Sequence, residues 1–127
     1  EKYPNIEFAG WKEKKDMVPY LKQTRCFVFP STYYEASPLT PLEMLACGIP
    51  CIVSDKNASK DIIEEGKNGY LTSVDDIALM AKYINAIKQT SRLFDMGYNA
   101  IATAKKYTFS TMANAHISAF GRFKNTK

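Results

Sequence analysis

The chain has 127 residues, of which 46% are hydrophobic and 24% charged, and this is the composition of an ordinary globular domain. The length limits it to one domain with a core of its own, and the aromatic content of 13% excludes a disordered tail. No stretch approaches the roughly 20 uninterrupted apolar residues of a membrane span, and the opening EKYPNIEF lacks the features of a signal peptide. We therefore expect a soluble protein of the cytoplasm.

The positive charge lies at the C-terminal end. The formal net charge is +4, yet the segment from Met96 onward holds five basic residues and no acidic one. Nucleic-acid binding is not expected, because the basic residues form neither a recognition cluster nor a known motif. Their mixture with aromatic residues is typical of docking on a further domain or an anionic membrane surface, with a solvated helix face as the alternative. This mixture consists of Lys105, Lys106, Tyr107, Phe109, Phe120, Arg122, Phe123 and Lys124.

Three cysteines, Cys26, Cys47 and Cys51, lie inside apolar segments and form no C-x-x-C pair. This pattern indicates reduced thiols in the core. A catalytic thiol would need a base or a strongly electropositive setting, and the only histidine, His116, is far along the chain among small and polar residues. We expect His116 to be a helix residue without a chemical role.

Glycine and proline divide the first part of the chain into short units, and the remainder has the apolar spacing of helices. We predict one domain over 1–127, with an α/β part at about 1–90 and C-terminal helices at about 91–127. Strands are predicted at 5–10, 26–29, 50–55 and 70–71, and helices at 17–23, from 38 to Gly48, and at 58–65, 74–88, 92–106 and 110–123.

Buried strands that alternate with helices indicate the fold class. The apolar runs at 26–29 and 50–55 are continuous, which suits strands covered on both faces of a parallel sheet. We therefore predict an α/β fold with a Rossmann-like, doubly wound parallel sheet and a helical C-terminal region. Such sheets bind ligands at the carboxyl ends of their strands, so the loops at 30–37 and 54–58 are the predicted site.

Glu43 is the only charged residue in the segment 36–53. On a helix that begins near residue 38 it would share an apolar stripe with Leu39, Leu42 and Ala46, so we expect it to be buried and partnered. The partner is either a cation or backbone donor of the protein or the hydroxyls of a ligand, and the spacing leaves both open.

A second carboxylate, Glu35, stands eight positions before Glu43, in the loop that follows a predicted strand. Between the two lies a predicted helix start, whose N–H groups and positive partial charge suit a phosphate. Because the nearby prolines have no N–H, the expected donors are the amides of Leu39 and Thr40. A nucleotide sugar fits this arrangement, with the sugar on Glu35, the diphosphate on the amides and the ribose on Glu43.

The segment FVFPSTYYEASPLTPLEMLACGIPCIVSD resembles the signature of family 4 of the retaining glycosyltransferases, which have the GT-B fold. The shared elements are a strand ending in Pro-Ser, a Glu, seven residues, a second Glu, and an Ala-x-Gly-x-Pro segment that enters the next strand. NIEFAGW and EEGKNGYL are similar to the family's neighbouring strand and its Asn-Gly turn.

The resemblance implies roles for five residues. Glu35 would be the catalytic residue near the anomeric centre of the donor sugar, and Glu43 would bind the ribose. Ser37 and the amides of Leu39 and Thr40 would bind the donor diphosphate. No Asp-x-Asp motif occurs, so we expect no metal and no cofactor, and a diphosphate held by amides and cations.

The chain departs from the family's pattern in two places. Ala36 and Ser37 replace the usual Gly and aromatic residue, and the segment 56–61 replaces a Gly-Gly-x-x-Glu-like sequence. The family's donor half also has earlier strand-helix units with an Arg and a Lys for the diphosphate, and it follows an acceptor-binding domain. We therefore expect an incomplete C-terminal half of a GT-B enzyme that is inactive alone, and whose strand at 5–10, without its neighbours, promotes dimers or aggregation.

The expected function is transfer of a hexose, with retention of anomeric configuration, from a nucleotide diphosphate sugar to a saccharide or lipid-linked acceptor held by the N-terminal domain. The expected setting is polysaccharide biosynthesis in the cytoplasm, at the inner face of the membrane. The alternatives are a non-catalytic nucleotide-sugar or phosphate-binding module and a GT-B epimerase. A Rossmann-type oxidoreductase is disfavoured, because no G-x-G-x-x-G follows any predicted strand.

Overall fold

The computed structural model describes residues 3–88 and 90–124 of the chain. In chain order the elements are α1 (Val18–Gln23), β1 (Phe27–Phe29), α2 (Leu39–Ala46), β2 (Cys51–Ser54), β3 (Gly69–Thr72), α3 (Ile77–Ile87), α4 (Thr90–Ala104) and α5 (Phe109–Lys124), with 3-10 helices at Lys14–Met17 and Ala58–Ile62. The predicted α/β class with a helical C-terminal region is confirmed.

β2 is the central strand of the sheet. It pairs in parallel with β1, where Cys51 lies opposite Phe27, and with β3, where Cys51 lies opposite Gly69. All four residues of β2 are fully buried. The continuous apolar run predicted such a strand, because a strand covered on both faces needs apolar residues at nearly every position.

Helices cover both faces of the sheet, which is therefore doubly wound as predicted. Successive side chains of a strand point to opposite faces, so Cys51 and Val53 belong to one core cluster and Ile52 to the other. The first cluster also contains Met44, Leu45, Ile49, Ile63 and Ala100, and the second contains Tyr70, Ile87 and Met96.

α2 begins and ends at residues that favour helix boundaries. The sequence Ser37-Pro38 predicts Ser37 as the N-cap, whereas in the structure the N-cap is Pro38. Gly48 follows the end of α2 with φ of 75°, a left-handed conformation that glycine adopts without strain. The buried face of α2 consists of Pro41, Met44 and Leu45. This face packs towards α4, whose Ala100 belongs to the same cluster as Met44 and Leu45.

Asn68 joins the segment before β3 to α4. Its Oδ1 accepts a hydrogen bond from the N–H of Glu64 at 2.8 Å, and its Nδ2 donates to the carbonyl of Ile62 and to Oγ1 of Thr103, both at 3.0 Å. The side chain is fully buried. Because both polar atoms of the amide have partners, its burial carries no desolvation penalty for an unsatisfied group.

The strand predicted at 5–10 is absent, and this prediction is wrong. These residues have no regular secondary structure, Phe8 is 94% exposed and Trp11 is 84% exposed. No described residue pairs with 5–10 as a strand, so the alternating Ile6 and Phe8 have no sheet in which to be buried. The expectation of dimers through the edge of this strand loses its structural basis.

Two short predicted helices have different limits in the structure. The helix predicted at 17–23 begins with a 3-10 turn and continues as α1, in which Leu21 packs against the core. The apolar spacing of this helix predicts Val18, Tyr20 and Leu21 as core-facing residues, but Val18 and Tyr20 are exposed. The helix predicted at 58–65 is a 3-10 helix that ends at Ile62.

α5 is exposed over 109–121. All of these residues, including Phe120, are exposed, and Nδ1 of His116 lies 2.9 Å from the carbonyl oxygen of Met112 in the same helix. The histidine is thus a helix residue, as predicted. The side chains of 122–124, part of the predicted basic and aromatic mixture, lie outside the described residues. Among the described residues, none of the helices combines the length and apolarity needed to cross a membrane.

The close approach of α4 to the end of α2 generates a stability prediction. A Cβ on Gly97 would lie 2.8 Å from the carbonyl oxygen of Gly48, so we expect Gly97→Ala to lower the free energy of unfolding by about 1–2 kcal/mol, although alanine is the better helix former. Urea denaturation measures this change. Gly121→Ala is the matched control, because a Cβ there meets no atom within 4 Å in the described part of the chain, and it should not lower stability. Equal effects of both substitutions would contradict the packing argument.

Candidate functional site

The two loops predicted to form the site meet at the carboxyl edge of the sheet. The loop at 30–37 follows β1 and the loop at 54–58 follows β2. They are joined by a hydrogen bond from the N–H of Ala58 to the carbonyl of Glu35, at 3.0 Å. The end of β2 is joined to β3 in turn, because the N–H of Asp55 donates to the carbonyl of Thr72 at 3.1 Å.

Glu35 is half-buried in the first of these loops. Its carboxylate oxygen Oε1 accepts a hydrogen bond from the hydroxyl of Ser31 at 3.0 Å. The same Ser31 Oγ accepts from the N–H of Tyr33 at 3.3 Å, and the N–H of Glu35 donates to the carbonyl of Tyr33 at 3.0 Å. Sequence reasoning singled out Glu35 but missed Ser31, although the Pro-Ser pair at the end of the strand was part of the recognised pattern.

The N-terminus of α2 lies directly after Glu35, as predicted. Pro38 makes no side-chain capping bond, so no side chain of the cap satisfies the first N–H groups of the helix. Leu39 and Thr40 open α2 and are exposed, and Ser37 precedes it and is also exposed. The arrangement can bind an anion through the amides of Leu39 and Thr40.

Glu43 is not buried, and the predicted apolar stripe is wrong. Its side chain is 47% exposed, because the face of α2 directed at the core is that of Pro41, Met44 and Leu45, rotated away from Glu43. Its partner is a cation of the protein, since Nζ of Lys14 lies 2.8 Å from Oε1 of Glu43. This contact raises the pKa of Lys14 above its ordinary value, through the hydrogen bond and the charge of the carboxylate.

Lys14 was not singled out by the sequence. It stands among several other lysines of the segment 12–22, and no spacing rule connects it with a helix that begins 25 positions later. Only the 3-10 turn at Lys14–Met17 brings it to Glu43. The pair is exposed on both sides and is therefore weakly held.

A cavity of about 200 Å³ lies beside the N-terminus of α2. Ser37 and Pro38 line it from the helix side, Ser59 from the 3-10 helix after β2, and Tyr107 from the segment after α4. Ser59 and Asn57 are each 2% exposed, and their Oγ and Nδ2 atoms are buried without a hydrogen-bond partner among the described residues. The loop after β2 therefore contains buried polar atoms without partners, whereas the Asn68 amide, at the opposite edge of the sheet, is fully hydrogen-bonded.

The three cysteines occupy different environments. Burial raises the pKa of both Cys26 and Cys51 to about 12, and the Sγ of Cys51 donates weakly to the carbonyls of Pro41 and Ile49. Cys47 is exposed at the end of α2, so its prediction as a core thiol is wrong. The helix stripe again explains the error, because Cys47 follows Ala46 on the exposed side of α2.

Within residues 3–88 and 90–124 no three His, Cys, Asp or Glu side chains lie close enough together to hold a metal ion. Asp75 and Asp76 are adjacent in the sequence, but the Asp76 carboxylate caps α3 by accepting from the N–H of Leu79 at 2.9 Å. Asp76 therefore has a structural role.

Comparison with known proteins gives a family match. The profile of the family described as glycosyl transferases group 1 matches residues 1–106. A curated relative, the UDP-Gal:alpha-D-GlcNAc-diphosphoundecaprenol alpha-1,3-galactosyltransferase of Escherichia coli, is 36% identical over 78 residues, which are 61% of this chain and 19% of that enzyme.

Solved structures are similar in fold. Sucrose-phosphate synthase from Thermosynechococcus elongatus superimposes with a TM-score of 0.78 at 21% identity, over 96% of this chain and 31% of that one. Anabaena HepE in complex with UDP-glucose gives a TM-score of 0.76 at 23% identity, over 92% of this chain and 32% of that one. The chain thus spans less than a third of the length of these three proteins.

The environments of the thiols generate a second prediction. At about pH 8, near the ordinary pKa of a thiol, iodoacetamide should alkylate Cys47 in the native protein and spare Cys26 and Cys51, because burial disfavours their thiolates. Mass spectrometry of tryptic peptides identifies the modified residue. Alkylation in urea is the control and should label all three. Rapid native labelling of Cys26 or Cys51 would contradict the burial described for β1 and β2.

Proposed function

The chain belongs to the group 1 glycosyl transferases, and on that premise we propose that it supplies part of the donor site of a retaining hexosyltransferase. The enzyme would transfer a hexose from a nucleotide diphosphate sugar to a saccharide or lipid-linked acceptor. The observation that carries the proposal is the position of Glu35, fixed at the carboxyl edge of a parallel sheet and directly before an uncapped helix N-terminus.

The fold agrees with this family. The parallel sheet with helices on both faces matches the folds of GT-B glycosyltransferases, as the sequence resemblance implied. In open α/β sheets the crevice at the carboxyl ends of the strands is the usual place for a ligand. Glu35, Ser37 and the first turn of α2 all lie at that edge.

The donor diphosphate would bind at the start of α2. The amides of Leu39 and Thr40 would donate to its oxygens, and the hydroxyl of Ser37 would add a donor from the preceding loop. The partial positive charge of the helix end favours an anion there without a metal ion. We propose that amides and cations hold the diphosphate and that no metal or cofactor is required.

The ribose would bind at Glu43. A carboxylate accepts hydrogen bonds from a pair of vicinal hydroxyls, and Glu43 is half-exposed on the side of α2 away from the core. The pairing with Lys14 does not close this position, because an exposed ion pair is weak and the lysine side chain is flexible. In the proposed complex the ribose hydroxyls take over one or both oxygens of Glu43.

Glu35 would act at the reacting carbon. A fixed carboxylate beside the anomeric centre stabilises the positive charge that develops there when the bond to the diphosphate breaks. The acceptor would be held by the part of such an enzyme that this chain does not span. A lipid-linked saccharide is the proposed acceptor class, since the E. coli relative is named for a diphosphoundecaprenol-linked acceptor, and the proposed setting is the cytoplasmic face of the membrane.

The proposal predicts that Glu35→Gln in the full-length protein lowers the rate of nucleoside diphosphate release about 100-fold, because the neutral amide cannot stabilise the developing charge. The assay tests UDP-galactose, UDP-glucose and GDP-mannose as donors, each with and without a diphosphoundecaprenol-linked saccharide as acceptor. The affinity for UDP or GDP, measured by calorimetry, should change little. Unaltered turnover of Glu35→Gln would refute the catalytic role.

Glu43→Ala should weaken the binding of the nucleoside diphosphate, unlike Glu35→Gln, which should slow turnover. We expect a rise of about 10-fold in the Kd for the nucleoside diphosphate, since hydrogen bonds from the ribose to a charged group are lost. Glu64→Ala is the matched control, because Glu64 is equally exposed and also pairs with lysines, yet belongs to the segment before β3 and not to α2. If both variants bind UDP or GDP as tightly as the wild type, Glu43 does not bind the ribose.

A further inference from the structure

We propose that Ser31 is a positioning residue for Glu35, whose hydroxyl holds one carboxylate oxygen so that the other meets the donor sugar in a fixed orientation. The inference rests on the proposed role of Glu35 and extends it to a residue with no assigned role. It depends on hydrogen bonds within the loop between β1 and α2 and on one that joins this loop to Ala58.

Ser31 uses both capacities of its hydroxyl. It donates its single proton to Oε1 of Glu35 at 3.0 Å and accepts the N–H of Tyr33 at 3.3 Å. The acceptor bond fixes the hydroxyl relative to the loop backbone, and the donor bond fixes the carboxylate relative to the hydroxyl. The position of the carboxylate is thereby set by the backbone of the loop.

The backbone of Glu35 is held at both ends as well. Its N–H donates to the carbonyl of Tyr33 and its carbonyl accepts from the N–H of Ala58, each at 3.0 Å. A glutamate on a fixed backbone still has three rotatable side-chain bonds, so the hydroxyl of Ser31 supplies the constraint that the main chain cannot. A carboxylate held in this way has little reorganisation to undergo when a charge develops beside it.

The second carboxylate oxygen is available to a ligand. Within the described ranges Oε2 of Glu35 accepts no hydrogen bond from the protein. The adjacent side chains of Tyr33 and Tyr34 are 77% and 93% exposed, so they do not pack over the loop. One carboxylate oxygen of Glu35, Oε1, is therefore bonded to the protein, and the other, Oε2, can bind the substrate.

The test compares Ser31 variants of the full-length protein for nucleoside diphosphate release from the most rapidly consumed of UDP-galactose, UDP-glucose and GDP-mannose. Ser31→Ala should lower kcat about 10-fold, with little change in KM, in the Kd for UDP or GDP, or in Tm, because a small misplacement of a reacting group costs rate rather than binding. Ser31→Thr keeps the hydroxyl and should restore most of kcat. Ser31→Cys keeps the size with a weak donor and should behave as Ser31→Ala does, which gives a second variant if the alanine variant folds poorly.

Ser73→Ala is the matched control. Ser73 follows β3 as Ser31 follows β1, and its Oγ accepts the N–H of Asp75 at 3.4 Å, two residues on, but it holds no carboxylate. The inference is overturned if Ser31→Ala keeps the wild-type kcat, if its kcat falls only in proportion to the folded fraction, or if Ser73→Ala is equally impaired. Glu35→Gln, assayed alongside, separates the two claims: a fully active Glu35→Gln refutes the role of Glu35, whereas an impaired Glu35→Gln with a fully active Ser31→Ala refutes only the positioning by Ser31.

Discussion

The burial of β2 on both faces is the constraint on which the rest of the molecule depends. A parallel strand can be joined to its neighbours only by crossover connections, and here α2 and the 3-10 helix of these connections cover one face of the sheet while α3 covers the other. Cys51 and Val53 are covered by α2 and α4, and Ile52 lies in the cluster that includes Ile87 of α3. Gly69 is needed opposite Cys51, since a Cβ there would lie 2.1 Å from the Cys51 carbonyl oxygen.

The same constraint assembles the candidate site. Parallel strands end at one edge, so the loops after β1 and β2 come together there and the N–H of Ala58 reaches the carbonyl of Glu35. Which side of α2 faces the core also determines which of its residues face solvent. With Pro41 and Leu45 directed into the core, Glu43 has to face solvent, where a cation or a ligand can reach it.

Buried polar side chains at the two edges of the sheet differ in whether their atoms have hydrogen-bond partners. Asn68, ahead of β3, is buried with both polar atoms bonded, and it stabilises the connection between the sheet and α4. Asn57 and Ser59, after β2, are equally buried, yet each keeps a polar atom without a partner among the described residues. Unsatisfied groups carry a cost in stability, and they occur here beside the cavity at the start of α2, where function rather than stability is the expected constraint.

The sequence was enough to predict the buried strands from their continuous apolar runs and the limits of α2 from Pro38 and Gly48, because these depend on local preferences. It also predicted the edge at which Glu35 lies, because ligands bind at the carboxyl ends of parallel strands. The segment 5–10 has the same alternation as a strand but is not one, since a strand exists only with a neighbour to bond. The sequence also could not predict the rotation of α2 about its axis, or the exposure of Glu43 that results from it. Which stripe of a short helix is buried depends on what packs against it, and only the fold brings α4 to one side of α2 and Lys14 to the other.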